Sequence, residues 1–262
     1  MPLVSVGRKG AARILRTVLL AFAALLLPVV GVAVPFWLRL PENVSTYGGR
    51  IDGLFWLITW ITGVIFVVVE VVLLFFLFRY RNREGARARY THGNNRLEVV
   101  WTIIPAVICV VLALLSRRAW ADIKQSMPGG AMPVEVMGEQ FAWNIRYSGP
   151  DGRLNTGDDI VTLNQLHVPV GRPVVVTLRS KDVIHSFFLP EFRVKQDAVP
   201  GMSTRIWFEA TRVGNWEIAC AELCGLGHYR MKGFVTVESP EDFQKFLAEQ
   251  AAEAAEDAGK TS

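Results

Sequence analysis

Twelve residues near the C-terminus, Cys220-Ala-Glu222-Leu-Cys224-Gly-Leu-Gly-His228-Tyr-Arg-Met231, gather two thiols, an imidazole and a thioether in one short stretch. Thiolate and thioether are soft donors that favour copper, whereas structural zinc takes four Cys or His ligands and has no use for methionine. Met231 is therefore the discriminating residue, and the stretch reads as a copper site. In an oxidising compartment a plain Cys220–Cys224 disulfide is the competing reading, disfavoured by the regular spacing of His228 and Met231. Cys109, the remaining cysteine, falls in an apolar run and reads as a buried, inert thiol.

A further imidazole, His185 in Lys181-Asp-Val-Ile-His-Ser-Phe, lies at the end of a strand and before a turn containing Pro190. A lone histidine in such a place is more often a hydrogen-bonded residue than a ligand. The elements around it must decide. From Met132 onward the chain reads as short strands: 134–137, 142–147, 174–178, 205–208, 216–219 and 233–237, with turn residues at Ser148-Gly-Pro-Asp-Gly, Pro169-Val-Gly-Arg-Pro, Pro200-Gly and Val213-Gly-Asn. Strands at this spacing predict an all-β sandwich or barrel. A sandwich whose metal ligands sit mostly on one late loop, with one histidine from an earlier loop, is the cupredoxin arrangement. After Pro240 the chain turns helical and ends in an Ala/Glu-rich tail expected to fray.

The first half of the chain is of another kind. Residues 1–118 carry 14 Lys/Arg against 5 Asp/Glu, and residues 119–262 carry 14 against 19, so a net charge of +4 hides two modules of opposite sign. The run Ile51 to Phe78 exceeds the roughly 20 apolar residues that cross a bilayer as a helix, and Val99 to Leu115 just spans one. Between them lie Arg79, Arg81, Arg83, Arg87, Arg89 and Arg96. Such an excess in a short loop marks the cytoplasmic side, which makes the two spans a hairpin and puts the C-terminal domain outside or in the periplasm. Arg117 and Arg118 run mildly against this. Arg8, Lys9, Arg13 and Arg16 precede an apolar stretch from Val18 to Trp37, either a retained span or a signal peptide cleaved near Gly31-Val32-Ala33. The expected organisation is a basic N-terminus and first apolar segment over 1–48, a membrane α-helical hairpin over 49–118, a cupredoxin-like domain over 119–240, and a C-terminal helix and acidic tail over 241–262.

Three blocks together resemble subunit II of the haem–copper cytochrome c oxidases: Leu97-Glu-Val-Val-Trp-Thr-Ile-Ile-Pro105, then Asp182-Val-Ile-His-Ser-Phe with Lys195-Gln-Asp-Ala-Val-Pro-Gly201, and the Cys220–Met231 stretch. The likeness runs from about residue 50 to about residue 238. It implies a binuclear CuA centre of two copper ions, with Cys220 and Cys224 as bridging thiolates, His185 and His228 as terminal imidazoles, Met231 as a weak thioether and Glu222 as a main-chain carbonyl ligand. The implied role is that of the electron-accepting subunit of a proton-translocating oxidoreductase in a bacterial inner membrane. It takes electrons from cytochrome c and passes them to haem in the catalytic subunit I, where oxygen is reduced to water. The Glu222 side chain would reach a magnesium or manganese ion at the subunit interface. Partners are the other oxidase subunits, cytochrome c and membrane lipid; no nucleic acid is expected.

Two acids in the spans are weighed separately. Glu98 matches a family glutamate near the mouth of a proton pathway, although an acid in the first turn of a helix needs no function. Glu70 lies well inside a span, where an ionisable group is a functional candidate by default; a protonated packing contact is the alternative. Where many relatives have a tryptophan that receives electrons, this chain has Phe141 in Gly138-Glu-Gln-Phe-Ala-Trp143, so Phe141 serves, Trp143 substitutes, or the donor docks differently. Acids clustered in Pro150–Asp159 do not have the spacing of an EF-hand and read as a polar hairpin loop, and His167 reads as structural. The acid excess of the external domain would suit a basic donor. Competing readings are a CuA chain of another enzyme such as nitrous oxide or nitric oxide reductase, a copper assembly protein, and a quinol oxidase subunit that has lost the metal. Glu98, Trp101 and Pro105 in the hairpin speak against the first of these, the closed donor set against the second, and the complete donor set against the third.

Overall fold

The computed structural model describes residues 39–83, 85, 87, 90, 92–125 and 127–260. The basic N-terminus, the apolar stretch from Val18 to Trp37 with its possible cleavage site, and Arg89 of the basic loop lie outside the described residues. The remainder divides into two compact units, one holding residues 55–102 and the other residues 41–54 and 103–260.

Helix α1 spans Gly48–Arg79 and helix α2 spans Asn95–Trp120. Both are apolar around their whole circumference and expose nearly all of it. At about 1.5 Å per residue they are roughly 48 and 39 Å long, more than a hydrocarbon core of about 30 Å. In lipid a helix is forced on such runs, because every backbone N–H and C=O must find its partner within the segment. Thr59 and Thr62 satisfy their hydroxyls the same way, donating to Phe55 O at 2.7 Å and Ile58 O at 2.8 Å. Helix α2 is longer than the 99–115 run that hydropathy alone picks out. Asn94 caps its start, accepting from Arg96 N at 3.1 Å and Leu97 N at 3.3 Å. At the other end Arg117, Arg118 and Trp120 continue the helix into a π-turn, Ala121–Gln125. Long cationic and aromatic side chains are suited to that place, since their stems stay apolar while their tips reach water.

The second unit is a two-sheet sandwich of ten strands: β1 Met132–Glu139, β2 Ala142–Tyr147, β3 Ile160–Leu163, β4 Gln165–Pro169, β5 Pro173–Ser180, β6 His185–Leu189, β7 Val194–Ala198, β8 Thr204–Glu209, β9 Gly214–Cys220 and β10 Lys232–Glu238. One sheet has the order β3-β2-β1-β5-β8 and the other β4-β10-β9-β6-β7. Side chains alternate in and out along β2 and β5, and the inner rows (Val134, Val136, Ile145, Val174, Val176, Leu178 facing Phe187, Ile218, Val235, Val237) have no exposed surface or almost none. Each such side chain stabilises the fold by about 1.5–3 kcal/mol relative to an exposed one. Six strands coincide with the alternation read from sequence. Strands β3, β4, β6 and β7 do not stand out there, because they are only four or five residues long and the last three carry His, Ser, Lys, Gln and Asp. His185 accordingly opens β6 rather than ending a strand. Helix α3, Pro240–Lys260, lays Phe243, Phe246 and Leu247 on the sandwich, with Phe246 stacked on His167 at 3.8 Å. His167 also bonds Glu238 at 3.1 Å, a structural use of the ring.

Arg193 ties the start of α1 and the residues preceding it to the sandwich. Its guanidinium donates to both oxygens of Asp52 at 2.7 and 3.0 Å and to the carbonyls of Pro41 and Pro190 at 2.6 Å each, with its side chain 9% exposed. Replacing one member of a desolvated pair leaves the other charge without its partner. Arg193→Met is expected to cost about 3 kcal/mol, read as a lower thermal midpoint of the full chain; a cost below about 1 kcal/mol would make the pair equivalent to an exposed one.

Candidate metal centre

All the candidate donors sit at one end of the sandwich. Strand β9 delivers Cys220 and β10 begins one residue after Met231, and the antiparallel ladder between them holds the mouth of the loop, with Cys220 N donating to Met231 O at 3.2 Å. Within the loop His228 starts a single 3-10 turn to Arg230 that aims Met231 inward. From the same sheet β6 brings His185 beside β9.

The donor atoms converge. Cys220 Sγ lies 3.8 Å from Cys224 Sγ and 3.9 Å from His185 Nδ1, and Cys224 Sγ lies 3.6 Å from His228 Nδ1 and 3.7 Å from Met231 Sδ. The thiols are free, not a disulfide. The main-chain carbonyl of Glu222 accepts from Cys220 Sγ at 3.3 Å, while Glu222 itself is exposed. His185, Cys224 and Met231 are buried. The structure brings together the five side-chain donors read from sequence, His185, Cys220, Cys224, His228 and Met231. Two soft thiols, a thioether and two imidazoles form a donor set that fits copper and suits magnesium or calcium poorly.

Burial, and the neighbouring Cys220 after it, push the Cys224 thiol up to about 11. The neutral thiol is the favoured form in the metal-free chain, and metal must displace its proton. Asp182 orients His185 by accepting from Nε2 at 2.8 Å, which leaves Nδ1 to face the sulfur atoms. Partial burial pushes that carboxyl up, but the bonds from His185, Gln140 N and Val183 N outweigh it and hold it below the usual carboxylate range. Asp182 has a chemical role that the sequence hides, its only trace being a carboxylate three residues before the histidine. Gly138 is a second. A Cβ there would stand 2.9 Å from His185 Cδ2 and 3.1 Å from Trp143 Cζ3, so only glycine lets the imidazole lie where it does.

Of the electron-receiving candidates, Phe141 is 37% exposed and stands against Gly225 and Gly227 of the ligand loop. Trp143 is fully buried, its ring edge-on to His185 at 6.0 Å and to Phe187 at 5.4 Å. Glu98 is exposed in the first turn of α2, and Glu70 is half-exposed in α1 with no hydrogen bond or ion pair among the described residues. The Pro150–Asp159 stretch is the β2–β3 hairpin loop, its carboxylates occupied by Asp151 N, Asn155 N, Thr156 and Arg146.

Two family models match, that for the cytochrome c oxidase subunit II periplasmic domain over residues 132–238 and that for its transmembrane domain over residues 33–118. The chain belongs to the cytochrome c oxidase subunit II family. The alternative cytochrome c oxidase subunit 2 of Bradyrhizobium diazoefficiens is 37% identical over 240 residues, covering 82% of this chain and 84% of that one. The cytochrome c oxidase subunit 2 of Thermostichus vulcanus is 32% identical, covering 86% and 84%. Among solved structures, the periplasmic domain of cytochrome oxidase subunit II of Bradyrhizobium japonicum is 27% identical, with 49% of this chain and 99% of that one covered at a TM-score of 0.44. This subunit II is a membrane protein of an oxidoreductase complex, and its buried His and Cys cluster is compatible with copper.

Two outcomes follow from the geometry. In the metal-free chain, alkylation of Cys224 is expected to be slow at pH 8 and to climb steeply as pH nears 11, followed by mass spectrometry of the peptide; a fast, pH-independent reaction would contradict its burial. Gly138→Ala is expected to weaken copper binding about tenfold or more by displacing the imidazole, since misplacing one ligand or its support costs roughly that much, measured by competition with a chelator.

Proposed function

We propose that the loop and His185 hold a binuclear CuA centre, with Cys220 and Cys224 bridging, His185 and His228 terminal, and Met231 and the Glu222 carbonyl completing the set. The observation that carries this is the convergence of five donor side chains, from the start of β6 and from the Cys220–Met231 segment, to sulfur–nitrogen and sulfur–sulfur separations of 3.6–3.9 Å. Copper bound there supplies one-electron redox chemistry, spread over two metals through the thiolates. The chain's own part is to present the donors from a rigid sheet end, so that little has to move when an electron arrives or leaves. In this reading the subunit accepts electrons from cytochrome c and passes them to haem in the catalytic subunit, which reduces oxygen and pumps protons. The sandwich faces the periplasmic side of the inner membrane, as the basic loop between the spans supports.

Phe141 is the surface residue at which electrons arrive, since it is exposed over the ligand loop and Trp143 has no surface to offer a donor. The free Glu222 carboxylate is available to a magnesium or manganese ion shared with the catalytic subunit. Glu98 lies near the mouth of a proton pathway in that subunit, and Glu70, inside the span, serves either proton movement or a protonated packing contact with that subunit. The acid excess of the domain is not gathered at the metal end. Residues 139–141, 181–184 and 221–232 hold three acids (Glu139, Asp182, Glu222) and three bases (Lys181, Arg230, Lys232), with Glu139 paired to Lys181. Leu223, Leu226 and Tyr229 are 78%, 96% and 76% exposed there.

Copper-loaded full-length chain is expected to hold about two coppers and to show the seven-line paramagnetic resonance pattern of one electron shared by two nuclei. One copper with four lines, or a Cys220–Cys224 disulfide without metal, would remove the reading. With a neutral apolar docking end, the rate of reduction by a cytochrome c is expected to fall less than about threefold between low and physiological salt, against the steep decline of electrostatically steered pairs. Stopped-flow oxidation of the cytochrome across a salt series measures this.

A further inference from the structure

The turn between β1 and β2 supplies no candidate ligand, yet it grips both ligand-bearing segments. Gln140 N donates to Asp182 Oδ2 at 2.7 Å, and Asp182 Oδ1 in turn accepts from His185 Nε2 at 2.8 Å. The same residue's side-chain Nε2 donates to Cys224 O at 2.6 Å. One residue is thus bonded, through its backbone, to the segment that carries His185 and, through its side chain, to the loop that carries both cysteines. Around it the fit is close. A Cβ on Gly225 would stand 2.8 Å from Gln140 Nε2 and 3.2 Å from Phe141 Cε1, and Gly225 has a φ of 133° that disfavours any side chain. A Cβ on Gly227 would run into the Phe141 ring. Lys181 N donating to Gly138 O at 3.0 Å ties the end of β1 to the histidine segment as well.

We propose that Gln140 is a positioning residue for the metal centre: it sets the separation of the His185 segment from the Cys220–Met231 loop and holds Cys224 at its buried place. At the start of the loop Ala221 N donates to Ser186 O at 2.9 Å; from there to Met231 the bond to Cys224 O is, among the described residues, the one hydrogen bond that joins the loop to another segment, and the 3-10 turn is internal. Without the amide, the Cys224 carbonyl and the thiol that follows its backbone are free to swing outward while the β9–β10 ladder stays closed. The proposal deepens the copper reading and rests on it for function, but its geometry concerns the metal-free chain as well.

The test uses the full-length chain in detergent, as wild type and as Gln140→Leu, Gln140→Lys and Phe141→Leu. The first readout is metal-free: the iodoacetamide alkylation rate of Cys224 relative to Cys220, together with the thermal midpoint. Gln140→Leu is expected to raise the relative rate about tenfold, the scale of one lost hydrogen bond to a buried group, with the midpoint little changed. Gln140→Lys, which restores a donor, returns the rate to near wild type, and Phe141→Leu leaves it there. In the copper-loaded chain, Gln140→Leu is expected to alter the copper hyperfine splitting and to speed copper loss to a chelator about tenfold. Wild-type alkylation and spectrum in Gln140→Leu would overturn the proposal. So would a fall in midpoint that tracks the alkylation, or an equal rise in Phe141→Leu, since either makes the turn mere packing. Failure of the wild type to bind copper would strike the CuA reading alone, leaving the alkylation result to decide this one.

Discussion

The hydrogen bond from His185 Nε2 to Asp182 sets the sense of the whole metal end. An imidazole has two nitrogens and can present either; with one committed to a carboxylate, only Nδ1 remains for the sulfur atoms. The ring is fully buried and lies on Gly138 with Trp143 edge-on, so it has no second orientation to adopt. Asp182 can do this at little cost because it is only partly buried and receives backbone N–H bonds as well as the ring's. A carboxylate so supplied is held below the usual carboxylate range.

Ligand loops themselves are thin and would be mobile alone. Their order comes from what lies beneath. Strands β9 and β10 pair down to Lys232 and Ala219, and the next rung, Cys220 N to Met231 O, fixes the first and last donors of the loop against each other. A two-residue register slip there would carry Cys220 away from the cluster, and the alternation that buries Trp216, Ile218, Val235 and Val237 excludes the one-residue slip. The hydrophobic core thus acts on the site through register: burial chooses the pairing, and the pairing places sulfur and nitrogen.

Much of this was legible in the residues. Cys220, Cys224, His228 and Met231 lie on one loop, where spacing in sequence is nearly spacing in space, and long apolar runs declare membrane helices by length alone. Strands with strict alternation, such as β2 and β5, were equally plain. What stayed hidden depends on contacts between segments far apart. Asp182 and Gln140 look like ordinary polar residues until the fold sets them 2.7 Å apart, and Gly138 looks like a turn glycine until His185 is laid upon it. Strands β6 and β7 were obscured because a strand beside a site carries polar residues for the site's sake, which blurs the period-2 pattern. The sequence alone therefore places His185 at a strand's end, whereas it is the first residue of β6.

Charge shows how far composition can differ from placement. The excess of acids in residues 119–262 invites a picture of a negative docking face, yet the acids are dispersed to helix α3 (Glu241, Asp242, Glu249, Glu253, Glu256, Asp257) and to the β2–β3 loop at the opposite end of β2 from the ligand loops. Where the donors lie, acids and bases are equal in number: Glu139 pairs with Lys181, Asp182 accepts from His185 and two backbone amides, and Glu222 shares its loop with Arg230. A neutral surface bearing exposed Leu223, Leu226 and Phe141 can gain from a partner mainly by excluding water. Such a contact brings the groups close without long-range guidance, and releases them easily because no ion pairs have formed. For the one-electron carrier proposed above, which would meet a new donor for each electron, weak and short-lived contact over the ligand loop is the useful property, and apolar side chains on a rigid base would provide it.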